Sequence, residues 1–160
     1  MTATSTNIVV ASVAAPTPEA VAMLTELDAV LGAEYEPHQR HALSLDQLFQ
    51  PGVRFFIASI DEAPVGCGGV ALFADFAEVK RMYARPTVRG RGIGKALLAR
   101  IEAEARAAGK PVLRLETGIH QKAAIGLYRR CGFRECGVFG QYAALAPAQI
   151  ATSVFFEKPL

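Results

Sequence analysis

Two periodicities of apolar residues alternate along the chain, and together they predict a mixture of strands and helices. Short runs rich in β-branched and apolar residues predict strands, at 7–13, 53–60, 64–73, 77–84, 112–118, 133–139 and 153–160. Apolar residues three or four positions apart predict helices, at about 17–31, 44–50, 92–108 and 121–131. The resulting order, β α α β β β α β α β β, is typical of a mixed α/β domain in which helices cross over between some strands.

Local signals mark the ends of several of these elements. Thr17 and Pro18 stand at the cap and first position of the first helix, and Gly109 with Pro111 ends the helix at 92–108. Short turns separate the three strands between 53 and 84, so these strands are predicted to form an antiparallel meander.

Composition and charge narrow the class of protein. The chain has 160 residues, 51% hydrophobic and 20% charged, which indicates one globular domain spanning 1–160. A net charge of +2 without a dense Lys/Arg cluster argues against nucleic-acid binding, and no uncharged apolar stretch is long enough to span a membrane. We expect a cytoplasmic protein for two reasons. The three cysteines are an odd number without a CxxC motif, which argues against structural disulfides. The N-terminus has no basic region followed by an apolar run, which argues against a signal peptide.

A glycine-rich turn leads directly into the predicted helix at 92–108. In "RPTVRGRGIGKALLAR" the glycines stand at 90, 92 and 94, and a turn of this kind before a helix commonly binds phosphate. A Walker A loop does not fit, because Gly90 and Gly94 are one residue too close and Ala96 stands where Ser or Thr is required. A Rossmann fingerprint does not fit either, because Lys95 fills the place of its third glycine.

A third phosphate-binding pattern, R/Q-x-x-G-x-G/A, is satisfied by Arg89, Gly92 and Gly94. With this pattern, and with "EVKRMYARP" before it and "LRLETG" and "AAIGLYRRCGF" after it, the chain resembles the GNAT superfamily of acyl-CoA-dependent N-acetyltransferases. The resemblance covers most of the chain from about Val65 onward, whereas the N-terminal third matches only as a strand–helix–helix lead-in.

The resemblance implies both a fold and an activity. The fold is an α+β domain whose mixed, mostly antiparallel sheet of about seven strands splays open between two central parallel strands, here "EVKRMYA" and "LRLETG". The activity is transfer of an acetyl group from acetyl-CoA to a primary amine of a small molecule or peptide, by direct attack in a ternary complex. A homodimer is also implied. No metal is required, and the histidines and cysteines show no ligand spacing.

The family's cofactor contacts fall on two segments of this chain. The CoA pyrophosphate would bind the loop amides, here of Arg89, Gly90, Arg91, Gly92, Ile93, Gly94 and Lys95. The pantetheine arm would pair with the backbone of Met82, Tyr83 and Ala84, where one N–H, of Met82 or Tyr83, would polarise the thioester carbonyl. Gln121 stands where many relatives have an Asn that contacts the pantetheine amides.

Three residues are candidates for proton transfer. Tyr128 lies in the "LY…GF" segment, whose Tyr protonates the departing thiolate in this family, and a phenol pKa of about 10 is close enough to a thiol pKa of about 8.5 for that transfer. Glu116 and Glu78 both occupy positions where family members have the general base. Each could instead be an ordinary solvent-facing strand residue. A water chain is a third source of the base.

Two other classes of function stay open at this point. One is a non-catalytic CoA-binding sensor on the same fold, and the other is a nucleotide-binding protein with a degenerate P-loop. The acceptor pocket falls on segments that vary among these proteins, where Glu34 and Glu36 would suit a cationic amine and Tyr142 an apolar part. His38, His41 and His120 are expected at the surface.

Overall fold

The protein forms a seven-stranded sheet in the order β1-β2-β3-β4-β5-β7-β6. The structure is a computed structural model and describes residues 7–160, so the first six residues of the N-terminal segment interpreted above lie outside the described residues. The strands are β1 (Ile8–Val13), β2 (Val53–Ile60), β3 (Ala63–Leu72), β4 (Ala77–Ala84), β5 (Val112–Gly118), β6 (Arg134–Glu135) and β7 (Ser153–Pro159). The helices are α1 (Pro18–Glu34), α2 (Leu45–Leu48), α3 (Ile93–Ala107), α4 (Lys122–Arg130) and α5 (Pro147–Ile150), with 3-10 turns at Pro37–Gln39, Pro86–Val88 and Gly140–Ala144.

The predicted fold class is confirmed. All neighbouring strands are antiparallel except β4 and β5, which run parallel. That parallel pair is joined only at Ala77↔Leu113 and Glu78↔Arg114, after which the two strands separate. The meander of β2, β3 and β4 and the splay between "EVKRMYA" and "LRLETG" are therefore both present.

Helices and loops cover both faces of the sheet. On one face α3 and α4 bury the larger core, with Leu97, Ile101 and Tyr128 against Phe56 and Phe156. On the opposite face α1 and α2 cover the β2–β4 side, and the segment after β6 covers the β5–β7 side with a cluster of aromatic rings. Within residues 7–160, none of the helices is long and apolar enough to cross a membrane.

The helix termini follow from local sequence. The Thr17 hydroxyl accepts a hydrogen bond from the backbone N–H of Ala20 at 3.2 Å, so the predicted cap of α1 is confirmed. Gly92 precedes α3 in the left-handed region with φ of 86°, a conformation that side chains with a Cβ disfavour. The glycine is therefore required by the turn that starts the helix.

The strand predicted at 133–139 is largely wrong. Arg134 and Glu135 pair with β7, and the Cys136 N–H donates to the Phe155 carbonyl at 2.8 Å. Phe139 then turns away from the sheet edge to pack with Phe76, Tyr142 and Phe155. Burial of this aromatic ring outweighs the local strand preference. The two turns of helix that follow, Gly140–Ala144 and Pro147–Ile150, lie in a segment for which no element was predicted.

Candidate active site

The splay between β4 and β5 leaves backbone groups without a strand partner. From Val79 to Ala84 on β4, and from Leu115 to Gly118 on β5, the sides that face each other make no β-pairing within the described chain. Peptide groups in such a position need a hydrogen-bond partner. An extended ligand with amide groups, such as a pantetheine arm, fits this gap because it pairs with a free strand edge as another strand would.

A cleft opens at this splay. Its walls are residues 78–82 of β4 and 116–118 of β5. Further lining residues come from α4 and the position before it (Gln121, Ala124, Tyr128), from α1 and the segment after it (Leu27, Leu31, Tyr35 and 39–42), and from Tyr142. Because β4 and β5 are paired at their amino ends and separate toward their carboxyl ends, the cleft opens on the side where the glycine-rich loop follows β4.

The glycine-rich loop has the shape expected of an anion site. Gly90 and Gly92 both have positive φ, 81° and 86°, and a Cβ built on Gly90 would meet no atom within 4 Å. The loop is exposed at Arg89, Arg91 and Lys95, which place three positive charges around the amino end of α3. These features fit a pyrophosphate held by backbone N–H groups.

Two loop residues have packing roles that the pattern did not indicate. Ile93 is buried against β3, and a Cβ on Gly94 would collide with the side chain of Leu127 on α4. Gly94 therefore has a packing role, because the absence of a side chain there permits α3 and α4 to approach each other.

A β-bulge interrupts β4 inside the cleft. The register of β3 and β4 shifts between Cys67 and Gly69, and Arg81 takes a φ of 57° that is unusual for a non-glycine residue. Its guanidinium donates to Asp28 of α1 at 2.7 Å and to the Leu24 carbonyl at 3.4 Å, contacts that hold the strained backbone in place. The bulge changes which side chains of β4 face the cleft.

Glu78 lies in a buried polar cluster. Its carboxylate accepts hydrogen bonds from the Tyr142 hydroxyl at 2.5 Å and from Gln141 at 3.2 Å, and it pairs with Lys80 at 2.9 Å. Lys80 also donates to the Tyr142 hydroxyl at 2.8 Å. Glu78 is fully buried and Lys80 almost so. The cluster ties the 140–144 turn to β4, and burial together with the Glu78 charge raises the pKa of the Tyr142 phenol.

Glu116 is the carboxylate of the cleft that can still accept a hydrogen bond from a ligand. It is half-buried on β5, and its one side-chain partner within the described chain is Ser153, whose hydroxyl donates to it at 2.6 Å. Burial raises the pKa of Glu116, and the nearby Glu78 charge adds to that effect, while the Ser153 hydrogen bond and the charges of His41 and Lys80 oppose it. A carboxylate with a raised pKa accepts a proton more readily than an exposed one does.

Tyr128 faces the cleft from α4 on the other side of the sheet. It is 5% exposed and packs edge-on against Phe133, with ring centroids 5.8 Å apart. Burial and the Glu116 charge raise the pKa of its phenol well above the ordinary value assumed in the sequence argument. The hydroxyl is therefore protonated at neutral pH, as a general acid must be, but its proton is held more tightly than a phenol pKa of about 10 implied.

Tyr35 closes one end of the cleft. Its hydroxyl accepts the backbone N–H of His120 at 2.9 Å, and its ring lies 5.5 Å from the His120 ring. A Cβ on Gly118 would overlap the Tyr35 hydroxyl, so the absence of a side chain there gives the tyrosine its place. The end of β5 and the end of α1 are joined at this point.

Most of the predicted site residues come together here. Glu78, Met82, Glu116, Gln121 and Tyr128 line the same cleft. Tyr83 and Ala84 contribute backbone at the end of β4, but the Tyr83 side chain lies on the α1 face, where its hydroxyl donates to Glu26 at 3.2 Å. The loop from Arg89 to Lys95 lies beyond the carboxyl end of β4 and does not line the cleft itself.

The cationic and aromatic residues that follow α1 were not predicted as site residues. Arg40 and His41 both line the cleft, and the Nε2–H of His41 donates to the Gln149 carbonyl at 2.7 Å, so the surface position expected for His41 is wrong. Glu34 and Glu36 are exposed and do not line the cleft. The proximity of residues 40–41 to α5 arises from contacts across more than a hundred positions, for which the local sequence contains no signal.

Cysteines and potential metal ligands add nothing to the site. Cys67 is buried with its thiol donating to the Arg81 carbonyl at 3.6 Å, and burial raises its pKa to about 12. Such a thiol is a poor nucleophile. Within residues 7–160 no group of three or more His, Cys, Asp or Glu side chains is placed to hold a metal ion.

Comparisons with known proteins agree with this geometry. The profile of the Acetyltransferase (GNAT) family matches residues 21–133. An IAA acetyltransferase of Azospirillum brasilense is 46% identical over 142 residues, 88% of this chain and 90% of that protein. A Klebsiella pneumoniae structure assigned as an acyl-CoA N-acyltransferase superposes with a TM-score of 0.80 at 37% identity, covering 96% of this chain and 97% of that one. The PaiA N-acetyltransferase of Thermoplasma acidophilum, solved with coenzyme A, shares the fold with a TM-score of 0.71 at 19% identity over 96% and 99% of the two chains.

Proposed function

The chain belongs to the GNAT family of acetyltransferases, and we propose that it transfers the acetyl group of acetyl-CoA to a primary amine of a small molecule or peptide. The observation that carries the proposal is the cleft itself. One splay in the sheet exposes free β4 backbone, a carboxylate with a raised pKa and a protonated phenol, and it opens toward the glycine-rich loop. The proposal covers residues 1–160 as one N-acetyltransferase domain.

The loop and β4 are proposed to hold the cosubstrate. Backbone N–H groups from Arg89 to Lys95 would bind the pyrophosphate, with the amino end of α3 adding its positive dipole. The backbone of Met82, Tyr83 and Ala84 would pair with the pantetheine amides, and Gln121 at the start of α4 would add a side-chain hydrogen bond. Acetyl-CoA supplies the thioester carbonyl that the amine attacks.

Glu116 is proposed as the general base. An amine is mostly protonated at neutral pH and must lose a proton to attack a carbonyl carbon. Glu116 is accessible from the cleft and has a raised pKa, whereas every oxygen of Glu78 is engaged by Lys80, Tyr142 or Gln141. We therefore assign Glu78 to positioning of the 140–144 turn and the proton transfer to Glu116, directly or through a water.

Tyr128 is proposed as the general acid. The amine nitrogen bonds to the acetyl carbon while a backbone N–H of Met82 or Tyr83 donates to the carbonyl oxygen. As the carbon–sulfur bond breaks, the phenol gives its proton to the departing sulfur, and the proton that the newly bonded nitrogen loses returns to the phenolate, so that an amide, a free thiol and neutral Tyr128 result. The burial that raises the pKa of Tyr128 weakens it as an acid in the free protein. Proton transfer from Tyr128 is therefore proposed to occur in concert with cleavage of the carbon–sulfur bond, as negative charge develops on the sulfur.

A cytoplasmic location and a homodimeric state are also part of the proposal. The location is supported by the three cysteines, which are unpaired, as in proteins of a reducing compartment. Family resemblance implies a homodimer, which light scattering on the purified protein would test.

The Azospirillum relative's name, IAA acetyltransferase, makes IAA and its amino derivatives a reasonable part of any acceptor panel.

Acetyl transfer from acetyl-CoA to a panel of amines tests the function. Thiol release, together with mass-spectrometric detection of the acetylated amine, should identify at least one acceptor, and magnesium or a chelator should make no difference. Calorimetry should show CoA binding that Gly92→Val abolishes. If CoA binds but no amine is acetylated, the protein is a CoA-binding sensor, and if CoA does not bind, the loop assignment is wrong.

A further inference from the structure

The lysine and the arginines that line the cleft are paired with carboxylates, with one exception. Lys80 pairs with Glu78 at 2.9 Å, and Arg81 pairs with Asp28 at 2.7 Å. Arg40 lines the same cleft, yet no ion pair joins it to a carboxylate anywhere in the described part of the chain. One uncompensated positive charge thus lies in a site where every other cation is neutralised.

The guanidinium of Arg40 also contains a buried donor without a partner. Its Nε is shielded from solvent and makes no hydrogen bond within residues 7–160. The Nε of Arg81, which lines the same cleft from β4, is in the same condition. Most buried donors of folded proteins are hydrogen-bonded. The Nε atoms are shielded from solvent, but the terminal Nη groups of Arg40 are not among these buried atoms and also make no hydrogen bond within residues 7–160. They are the donors that a ligand in the cleft can meet, and a carboxylate matches the planar fork of a guanidinium best.

The position of Arg40 is held from both sides. The turn Pro37–Gln39 precedes it, with the Arg40 N–H donating to the Pro37 carbonyl at 3.3 Å and Gln39 capping the Glu36 N–H at 3.0 Å. His41 follows it and is tied to Gln149 of α5 at 2.7 Å. The backbone that carries Arg40 is thus anchored, so binding a ligand there does not require the ordering of a free loop.

We infer that the acceptor of this enzyme carries a carboxylate, which Arg40 binds while Glu116 faces the amine. The inference rests on the proposed function and specifies its substrate class: amino acids and other small amino-carboxylic acids. It replaces the cationic amine that Glu34 and Glu36 suggested, since both lie outside the cleft lining. A polyamine in the cleft would bring a second positive charge toward Arg40, where repulsion disfavours it.

Matched pairs of acceptors test this inference. Glycine, β-alanine, 4-aminobutanoate, 5-aminopentanoate and phenylalanine would each be compared with the corresponding primary amide, with spermidine as the cationic reference, by thiol release from acetyl-CoA. The best free acid should exceed its amide at least tenfold in kcat/KM, mainly through KM. The series of chain lengths reports how far the amine and carboxylate subsites are apart.

Variants of two arginines complete the experiment. Arg40→Gln should lower kcat/KM for the acids at least tenfold and leave the amides unchanged, and Arg54→Gln, at an exposed position on β2 away from the cleft, should affect neither. Equal rates for acids and amides, preference for spermidine, or an equal loss for both in Arg40→Gln would overturn the inference while leaving the acetyltransferase intact. If the protein acetylates nothing, the proposed function fails instead. Calorimetric titration of the five acids into the CoA-loaded protein then decides: binding that Arg40→Gln abolishes supports the carboxylate subsite, and no binding refutes it.

Discussion

Glutamine substitutions at Glu78 and Glu116 should have opposite effects on stability and activity. Glu78→Gln removes one charge of an ion pair whose partners, Glu78 and Lys80, are 1% and 7% exposed in their side chains. Removing one partner of a buried pair costs about 3–5 kcal/mol. The glutamine oxygen can still accept a hydrogen bond from Lys80, so we expect the lower end of that range.

That free energy converts into a measurable melting temperature. For a chain of 160 residues, a loss of about 3 kcal/mol corresponds to a decrease of roughly 6–12 °C in Tm, at about 2–4 °C per kcal/mol. Circular dichroism melts at pH 7 measure it. At an assay temperature well below the transition, Glu78→Gln should keep kcat/KM within about tenfold of the original protein, because its role is to position the 140–144 turn.

Glu116→Gln should behave in the opposite way. Its carboxyl has a pKa raised by burial, so its contribution to stability is full below the unfolded pKa of about 4.3 and is lost as the pH rises through the folded pKa. At pH 7 the ionised carboxylate therefore carries a penalty that the neutral amide avoids, and Tm should stay equal or increase. Loss of the base should lower kcat/KM by roughly 10²–10⁴-fold.

Glu135→Gln is the matched control, because that carboxylate is exposed on β6 and far from the cleft lining. It should change neither Tm nor kcat/KM appreciably. If Glu78→Gln melts like the original protein and loses two orders of magnitude in activity, while Glu116→Gln remains active, the assignment of base and structural carboxylate is reversed.

Four further outcomes are expected. Tyr128→Phe keeps the packing against Phe133 and removes the proton, so kcat should fall roughly 10²-fold or more. The affinity for acetyl-CoA, measured by calorimetry, should hardly change. Near-full turnover under conditions where chemistry is rate-limiting would show that Tyr128 is a packing residue. Gly92→Val forces a β-branched residue to a φ of 86°, and CoA binding should become undetectable by calorimetry while thermal unfolding stays cooperative. Gly118→Ala puts a methyl group where the Tyr35 hydroxyl lies, so acceptor KM should increase and Tm decrease, and an unchanged pair of values would contradict the close contact. The acidic limb of the kcat/KM profile should lie above about pH 4.3, because burial raises the pKa of Glu116, and it should be absent in Glu116→Gln.

Sequence periodicity and short motifs determined most of the elements and the conformation of the glycine-rich loop, where we propose that the cosubstrate binds. The cap at Thr17, the glycine turn before α3 and most of the strand positions along the chain follow from local preferences that the structure retains. The spacing of Arg89, Gly92 and Gly94 pointed to an anion because backbone conformation in a tight turn depends mainly on the residues within it. Tyr128, Glu116 and Glu78 were singled out by the resemblance of their segments to the GNAT superfamily, and the structure places all three in the lining of one cleft.

The acceptor side of the cleft was decided by tertiary contacts. Glu78 and Glu116 looked alike as strand glutamates, and only the approach of Tyr142 and Lys80 makes one of them a fully bonded structural carboxylate. Arg40 lies in a connection without strong periodicity, and its place in the cleft depends on contacts of residues 37–41 with α5. The raised pKa values and the unpaired charge of the cleft arise from burial and from neighbours distant along the chain, and those quantities exist only once the chain has folded.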